Sequence, residues 1–217
     1  MSATSRAPAI STRRRVPSRR QAAIRRRRRA LLALGALVVV VIGAVLAAPL
    51  AQRAINDLTL PLQYSGIIRQ QAAAKRLPPD LVAAVIFAET KFDARTSPTG
   101  AEGLMQIEPQ TALFLARRSG ATNFHTSDLG TPSVNIAYGT YYLRYLLNEY
   151  GGSLVAALAA YNGGETNVDH WIAQDGGGAS ALRVNEIPFP ETRAYVQRVL
   201  QAQQDYRQTY PRQLGYG

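Results

Sequence analysis

The sequence predicts a mainly α-helical domain behind an N-terminal transmembrane helix. Three observations carry this. Ala30 to Ala51 is a run of 22 residues without a charge. Downstream, proline, acidic and glycine residues punctuate the chain where helices start and stop. Nowhere is the strict apolar/polar alternation of strands sustained.

Taken in order, residues 1–29 hold eleven arginines and no acidic residue, with Ser, Thr and Pro among few apolar side chains. Such a segment cannot offset the entropy of folding and is expected to be a disordered cytoplasmic tail. Residues 30–51 are expected to cross the membrane, since about 20 apolar residues span the hydrocarbon layer. A cleaved signal peptide is the rival reading. The long arginine-rich lead, the length of the apolar run and the poor cleavage site at Val45-Leu46-Ala47 favour an uncleaved anchor. Arg25 to Arg29 abut it, so the N-terminus stays inside and the remainder lies outside.

Residues 52–70 read as a stalk, 71–210 as the main folded domain and 211–217 as a tail. Pro78-Pro79-Asp80 opens a helix with its body at Leu81 to Lys91. Leu81 through Ala88 are all apolar, the mark of a buried helix. A second helix is expected from Pro132 to Tyr150, with Tyr138, Tyr141, Tyr142 and Tyr145 on one face; core packing is their favoured role, with stacking on a ligand open for one or two. Ser153 caps a third, Leu154 to Tyr161, and Pro190 opens the last, Glu191 to about Tyr210.

The net charge of +11 belongs to the tail: residues 30–217 carry fourteen basic and fourteen acidic side chains. A basic cluster beside an apolar span is a topology and lipid signal, so no nucleic-acid partner is expected. The absence of cysteine excludes disulfides, thiolate metal sites and a thiol nucleophile. His125 and His170 have no metal-ligand spacing, and neither metal nor cofactor is expected.

Glu89 is the anomaly. It ends an eight-residue apolar run, where an unpaired carboxyl responds to burial with a raised pKa, as a general acid requires. The residues alone leave open a surface glutamate paired with Lys91 or Arg95. The motifs around it decide. Glu89-Thr90-Lys91-Phe92 precedes Ser97-Pro98-Thr99-Gly100-Ala101-Glu102-Gly103-Leu104-Met105-Gln106 and Pro109-Gln110-Thr111-Ala112. Asn135-Ile136, Tyr142-Leu143, Ala159-Ala160-Tyr161-Asn162-Gly163 and Ile187-Pro188-Phe189-Pro190-Glu191-Thr192-Arg193-Ala194-Tyr195-Val196 follow. In this order they resemble the lytic transglycosylases of the soluble, goose-type-lysozyme-like (SLT) family.

The resemblance implies a lysozyme-like fold with a polysaccharide cleft and peptidoglycan glycan strands as substrate. It implies that Glu89 is the single catalytic acid/base. Thr90, Met105, Gln106, Tyr161, Asn162 and Glu191 then bind substrate or support the site: Met105 against a sugar face, Gln106 on an acetamido group, Tyr161 donating to Glu89, Asn162 on the substrate. Thr90 stands where the family has serine; it keeps the hydroxyl and adds a methyl that could crowd the cleft. Among other carboxylates, Asp93 sits in a turn, Glu102 at a variable position, and Glu108 before a proline facing solvent. The segment from Trp171 to Glu186 has no clear match and reads as a rim loop. A hydrolytic muramidase on the same fold and a catalytically idle glycan-binding protein remain the alternatives.

Overall fold

The computed structural model describes residues 34–35, 41–48, 55 and 59–216. The chain divides into residues 1–54 and residues 55–217. In the first unit only 34–35 and 41–48 are described; both are helical and exposed, with Val45 and Leu46 about two-thirds accessible. The expected tail and most of the expected anchor lie outside the described residues. Among the described residues no helix is long and apolar enough to cross a membrane.

The second unit is helical. α1 spans Ser65–Lys75, α2 Pro79–Thr90, α3 Pro109–Ser119, α4 Pro132–Glu149, α5 Leu154–Gly163, α6 Glu165–Asp175 and α7 Pro190–Thr209, with 3-10 turns at Thr126–Gly130 and Val184–Glu186. Four helices open on proline, whose fixed φ suits the first turn and whose missing N–H costs nothing there. Ser153 caps α5 by accepting from the Ala156 N–H.

α2 and α5 form the centre. Every residue from Asp80 to Ile86 and from Ala156 to Ala160 is buried, so neither helix has a solvent face over that stretch. α2 lies along α7, and α5 contacts α4, α6 and α7. α2 stops abruptly because Lys91 and Phe92 are both left-handed, with φ of 53° and 66°. Glu89 therefore sits in the last turn of a core helix.

Two helices, α3 and α6, were not anticipated. α3 follows the Pro109 start signal. α6 lies partly in the expected rim loop: Trp171 is buried, and Leu182 and Ile187 of the following stretch join the core. α1 starts inside the expected stalk, because Ile68 and Ala72 pack into the core. Nor do residues 211–216 hang free. Leu214 is buried, and the Tyr216 hydroxyl donates to Asp80 at the start of α2 (3.0 Å).

Candidate active site

Three helix ends and two loops converge on one cleft of about 460 Å³. Glu89 comes from the end of α2, Tyr161 and Asn162 from the end of α5, and Glu191 from the first turn of α7. Gln106 enters from the loop before α3, opposite the turn at Ser97–Ala101, and Tyr142 from α4. Five of the residues singled out in the sequence thus share one cavity.

Glu89 is half-buried, at the end of a helix where the dipole disfavours negative charge. Burial raises its pKa from 4.5 to about 7, against the pull of the Tyr195 hydroxyl and the Arg198 and Arg95 guanidiniums. Its carboxylate forms no ion pair among the described residues; Arg95 instead donates to the Glu89 backbone carbonyl (3.2 Å) and lies 4.0 Å from Asp93. This is the environment of a carboxyl group that keeps its proton near neutral pH.

The loop bearing Gln106 is held from below. Glu102 and Ile107 exchange backbone hydrogen bonds of 3.0 Å, closing a tight loop around Gly103 to Gln106. Gly103 has φ of 74°, and a Cβ there would fall on the Asn135 amide and the Leu129 carbonyl. Asn135, fully buried on α4, accepts from the Met105 N–H (2.8 Å) and donates to the Glu102 (2.8 Å) and Leu129 (3.0 Å) carbonyls. Gln106 itself is left-handed, with φ of 48°. Its amide nitrogen donates to the Arg95 (2.7 Å) and Gly103 (2.9 Å) carbonyls, which leaves its oxygen as the group free to accept from a ligand N–H.

Two residues expected at the cleft lie elsewhere. Met105 is fully buried and packs against Gly139, where any Cβ would collide with it; a thioether fills this core gap better than it would serve a wet surface. What Met105 contributes is its carbonyl, which accepts the Tyr161 hydroxyl proton at 2.9 Å. Tyr161 therefore spends its one proton on the loop and not on Glu89, contrary to expectation. Thr90 is buried too. Its hydroxyl bonds the Ile86 (3.2 Å) and Leu104 (2.8 Å) carbonyls, tying α2 to the loop, so its methyl is kept out of the cleft.

The hydroxyl beside Glu89 is that of Tyr195 on α7. It is buried and close enough to lower the carboxyl's pKa, yet has no hydrogen bond of ordinary geometry. Neither Tyr195 nor Asn135 was assigned a role from the sequence, although both lie in matched motifs. A side chain with a polar group, inside a matched motif on a helix, was the available signal. Of the remaining carboxylates, Glu108 is exposed but lines the cleft, as does Glu191; Glu102 accepts from Thr96 (2.9 Å) and Asp93 is solvated. His125 and His170 are exposed and away from the cleft, and no cluster among the described residues could hold a metal ion.

Residues 66–183 match the model of the Transglycosylase SLT domain. The soluble lytic murein transglycosylase of Escherichia coli (strain K12) is 34% identical over 150 residues, which is 68% of this chain and 23% of that protein. Two solved structures are similar at 32% identity, each over 70% of this chain and 25% of the other. One is the 70 kDa soluble lytic transglycosylase of Escherichia coli, with a TM-score of 0.65. The other is an inactive glutamate-to-glutamine mutant of the lytic transglycosylase Slt from Pseudomonas aeruginosa, with a TM-score of 0.63. The chain spans about a quarter of the length of these relatives. From Gly66 through Arg183, and by the fold that carries the Glu89 cleft, the chain belongs to the transglycosylase SLT domain family.

Proposed function

We propose that this protein is a peptidoglycan lytic transglycosylase that cleaves the β-1,4 bond from N-acetylmuramic acid to N-acetylglucosamine, with Glu89 as its only general acid/base. The observation that carries the reading is the Glu89 carboxyl: half-buried, without an ion pair among the described residues, with its pKa raised to about 7, and facing a cleft that also holds Gln106, Tyr161 and Asn162.

Protonated Glu89 gives its proton to the glycosidic oxygen as the bond to muramic acid C1 breaks. The N-acetylglucosamine 4-hydroxyl leaves. The same carboxyl, now ionised, takes the proton of the muramic acid 6-hydroxyl as that oxygen attacks C1 and closes a 1,6-anhydro ring. The substrate's own hydroxyl replaces the water, and its acetamido group stabilises positive charge at C1. One carboxylate then suffices where a hydrolase needs two. The Gln106 amide nitrogen is taken up by the Arg95 and Gly103 carbonyls, which supports a role for its oxygen in accepting from an acetamido N–H, and Glu191 supports the site from the helix start. Relatives named for murein support the substrate.

The hydrolytic alternative draws on Glu108 and Glu191, which line the same cleft. Mass spectrometry of fragments released from purified peptidoglycan separates the two, since an anhydro end lacks the mass of one water. Glu89→Gln should lower turnover by roughly 10²–10⁴-fold while glycan binding persists; turnover near that of the unmodified chain would remove Glu89 from the mechanism. For localisation we propose a single-pass membrane protein with its N-terminus in the cytoplasm and the domain outside. The 22 uncharged residues and the flanking Arg25 to Arg29 support this.

A further inference from the structure

A hollow of about 330 Å³ lies between the C-terminal ends of α1 and α3 and the middle of α4, and shares no lining residue with Glu89's cleft. Lys75, Ser119, Ala121, Ala137, Tyr138 and Tyr141 line it, so most of its wall is carbon. Tyr138 and Tyr141 are half-buried, and Phe124 stacks on Tyr138 at 4.3 Å between centroids. Rings that are wet at one edge and apolar behind it suit a boundary between water and hydrocarbon.

Cations surround the hollow. Lys75 donates to Gln71 Oε1 at 2.5 Å, which leaves two of its three N–H groups for a ligand. Partial burial lowers its pKa from the ordinary value, and an anion beside it would offset that loss. Arg144 donates to the Lys75 carbonyl at 2.7 Å and to the Arg76 carbonyl. Arg117 and Arg118 end α3 just before Ser119, with Arg118 4.9 Å over the Tyr145 ring. Among the described residues none of these five cations is in an ion pair. The Asp128 carboxylate acts on Tyr138, but it already accepts the His125 N–H at 2.9 Å. Helix dipoles alone favour basic residues at two C-termini, but they do not call for an aromatic hollow between them.

The matching partner is anionic at its edge and apolar behind, and the layout of the chain selects one. On the single-pass reading the uncharged run ends at Ala51, and the Tyr210 hydroxyl holds the Leu60 carbonyl at 2.8 Å. The nine peptide steps between them reach at most about 30 Å. α1 starts at Ser65, and Lys75 ends it about 15 Å further on. The hollow thus stays within reach of the surface where the run ends. We propose that this face docks on the headgroups of anionic phospholipids, with Tyr138 and Tyr141 in the interface and Lys75 and Arg117 on lipid phosphates. The proposal rests on the single-pass reading.

The chain has no cysteine, so one introduced thiol carries an environment-sensitive dye to a chosen place. Thr122→Cys is exposed beside Ala121 of the hollow, and Gln201→Cys is exposed on α7. Both full-length chains are reconstituted into vesicles of phosphatidylcholine, alone or mixed equally with phosphatidylglycerol, with a trace of lipid bearing a headgroup quencher. The dye at 122 should be quenched more than the dye at 201, and only with phosphatidylglycerol. Lys75→Gln and Arg117→Gln should each weaken docking about fivefold, and high salt should weaken it further. Comparing the two vesicle types leaves the hollow's own residues in place, so the test stands even if a variant misfolds. Equal quenching at the two positions with phosphatidylglycerol overturns the docking surface, as does unchanged docking in both folded variants. So does a dye response at 122 to peptidoglycan fragments in place of the lipid, which would make the face a wall contact. Resistance to alkaline extraction from the same vesicles reports the anchor. A chain that is extracted yet quenched at 122 sinks the single-pass reading alone; a chain that is retained but unquenched sinks the docking surface alone.

Discussion

The Glu89 carboxyl is held where the fold works against its charge. Its pKa rises from 4.5 to about 7 because burial removes water from it, and Tyr195, Arg198 and Arg95 recover only part of that loss. The sign for stability follows from the folded state binding the proton more tightly than the unfolded state. Glu89's favourable contribution is complete below its unfolded value and is lost as pH rises through about 7. By linkage the loss is of the order of 3–4 kcal/mol, roughly 1.4 kcal/mol per pKa unit. Melting curves should therefore show the unmodified chain losing stability from acid to mildly alkaline pH relative to Glu89→Gln, which has nothing to ionise. Parallel curves for the two proteins would mean that Glu89 is solvated. Activity carries the same signature: kcat/KM should fall as pH rises through about 7, as the acid form is depleted.

At the scale of elements, the site is made by helix ends that stop at the right residue and by one loop pinned from underneath. Asn135 serves three backbone groups of that region at once. Asn135→Leu would take the side-chain partner from the buried Met105 N–H and from the Leu129 carbonyl, while the Glu102 carbonyl keeps the Ile107 N–H. The cost is expected to be about 2–4 kcal/mol, read as a drop in melting temperature. Activity measured well below that temperature should also fall, because Gln106 and the Met105 carbonyl move with the loop. Full activity in a folded Asn135→Leu protein would show that the loop holds itself. The sequence marked the Gly103–Gln106 segment and Asn135 as parts of separate motifs. Their union is a contact between positions about thirty residues apart, which no spacing along the chain can express.

For the molecule as a whole, both ends of the second, helical unit close on its core. The hydroxyls of Tyr206 on α7 and of Tyr210 just past its end donate to the carbonyls of Pro61 (2.6 Å) and Leu60 (2.8 Å), while the C-terminal residues return to α2. There Asp80, buried, accepts from the Leu81 N–H and the Tyr216 hydroxyl and pairs with Arg207 at 3.5 Å, whose guanidinium stacks over Tyr216 at 3.9 Å. Deleting residues 211–217 removes buried Leu214 and strips Asp80 of the Tyr216 hydroxyl. Thermal unfolding should shift downward by an amount matching about 2–5 kcal/mol. An unshifted transition would return this segment to the status of a tail. Removing residues 1–51, by contrast, should leave glycan cleavage intact, tested by digestion of purified peptidoglycan; loss of cleavage in that truncation would tie the N-terminal segment to catalysis.

The sequence by itself determined that the domain is helical, that α2 is a core helix, and that Glu89, Gln106, Tyr161, Asn162 and Glu191 belong to one family pattern. These properties are local: apolar runs, proline starts, glycine stops and short motifs are all written in consecutive residues. Only the tertiary structure decided that Met105 and Thr90 face the core, that Tyr161 bonds the loop while Tyr195 stands beside Glu89, and that residues 211–216 dock on α2. A motif names neighbours in sequence, but the direction of a side chain and the destination of a single hydroxyl proton depend on what another element brings to meet it.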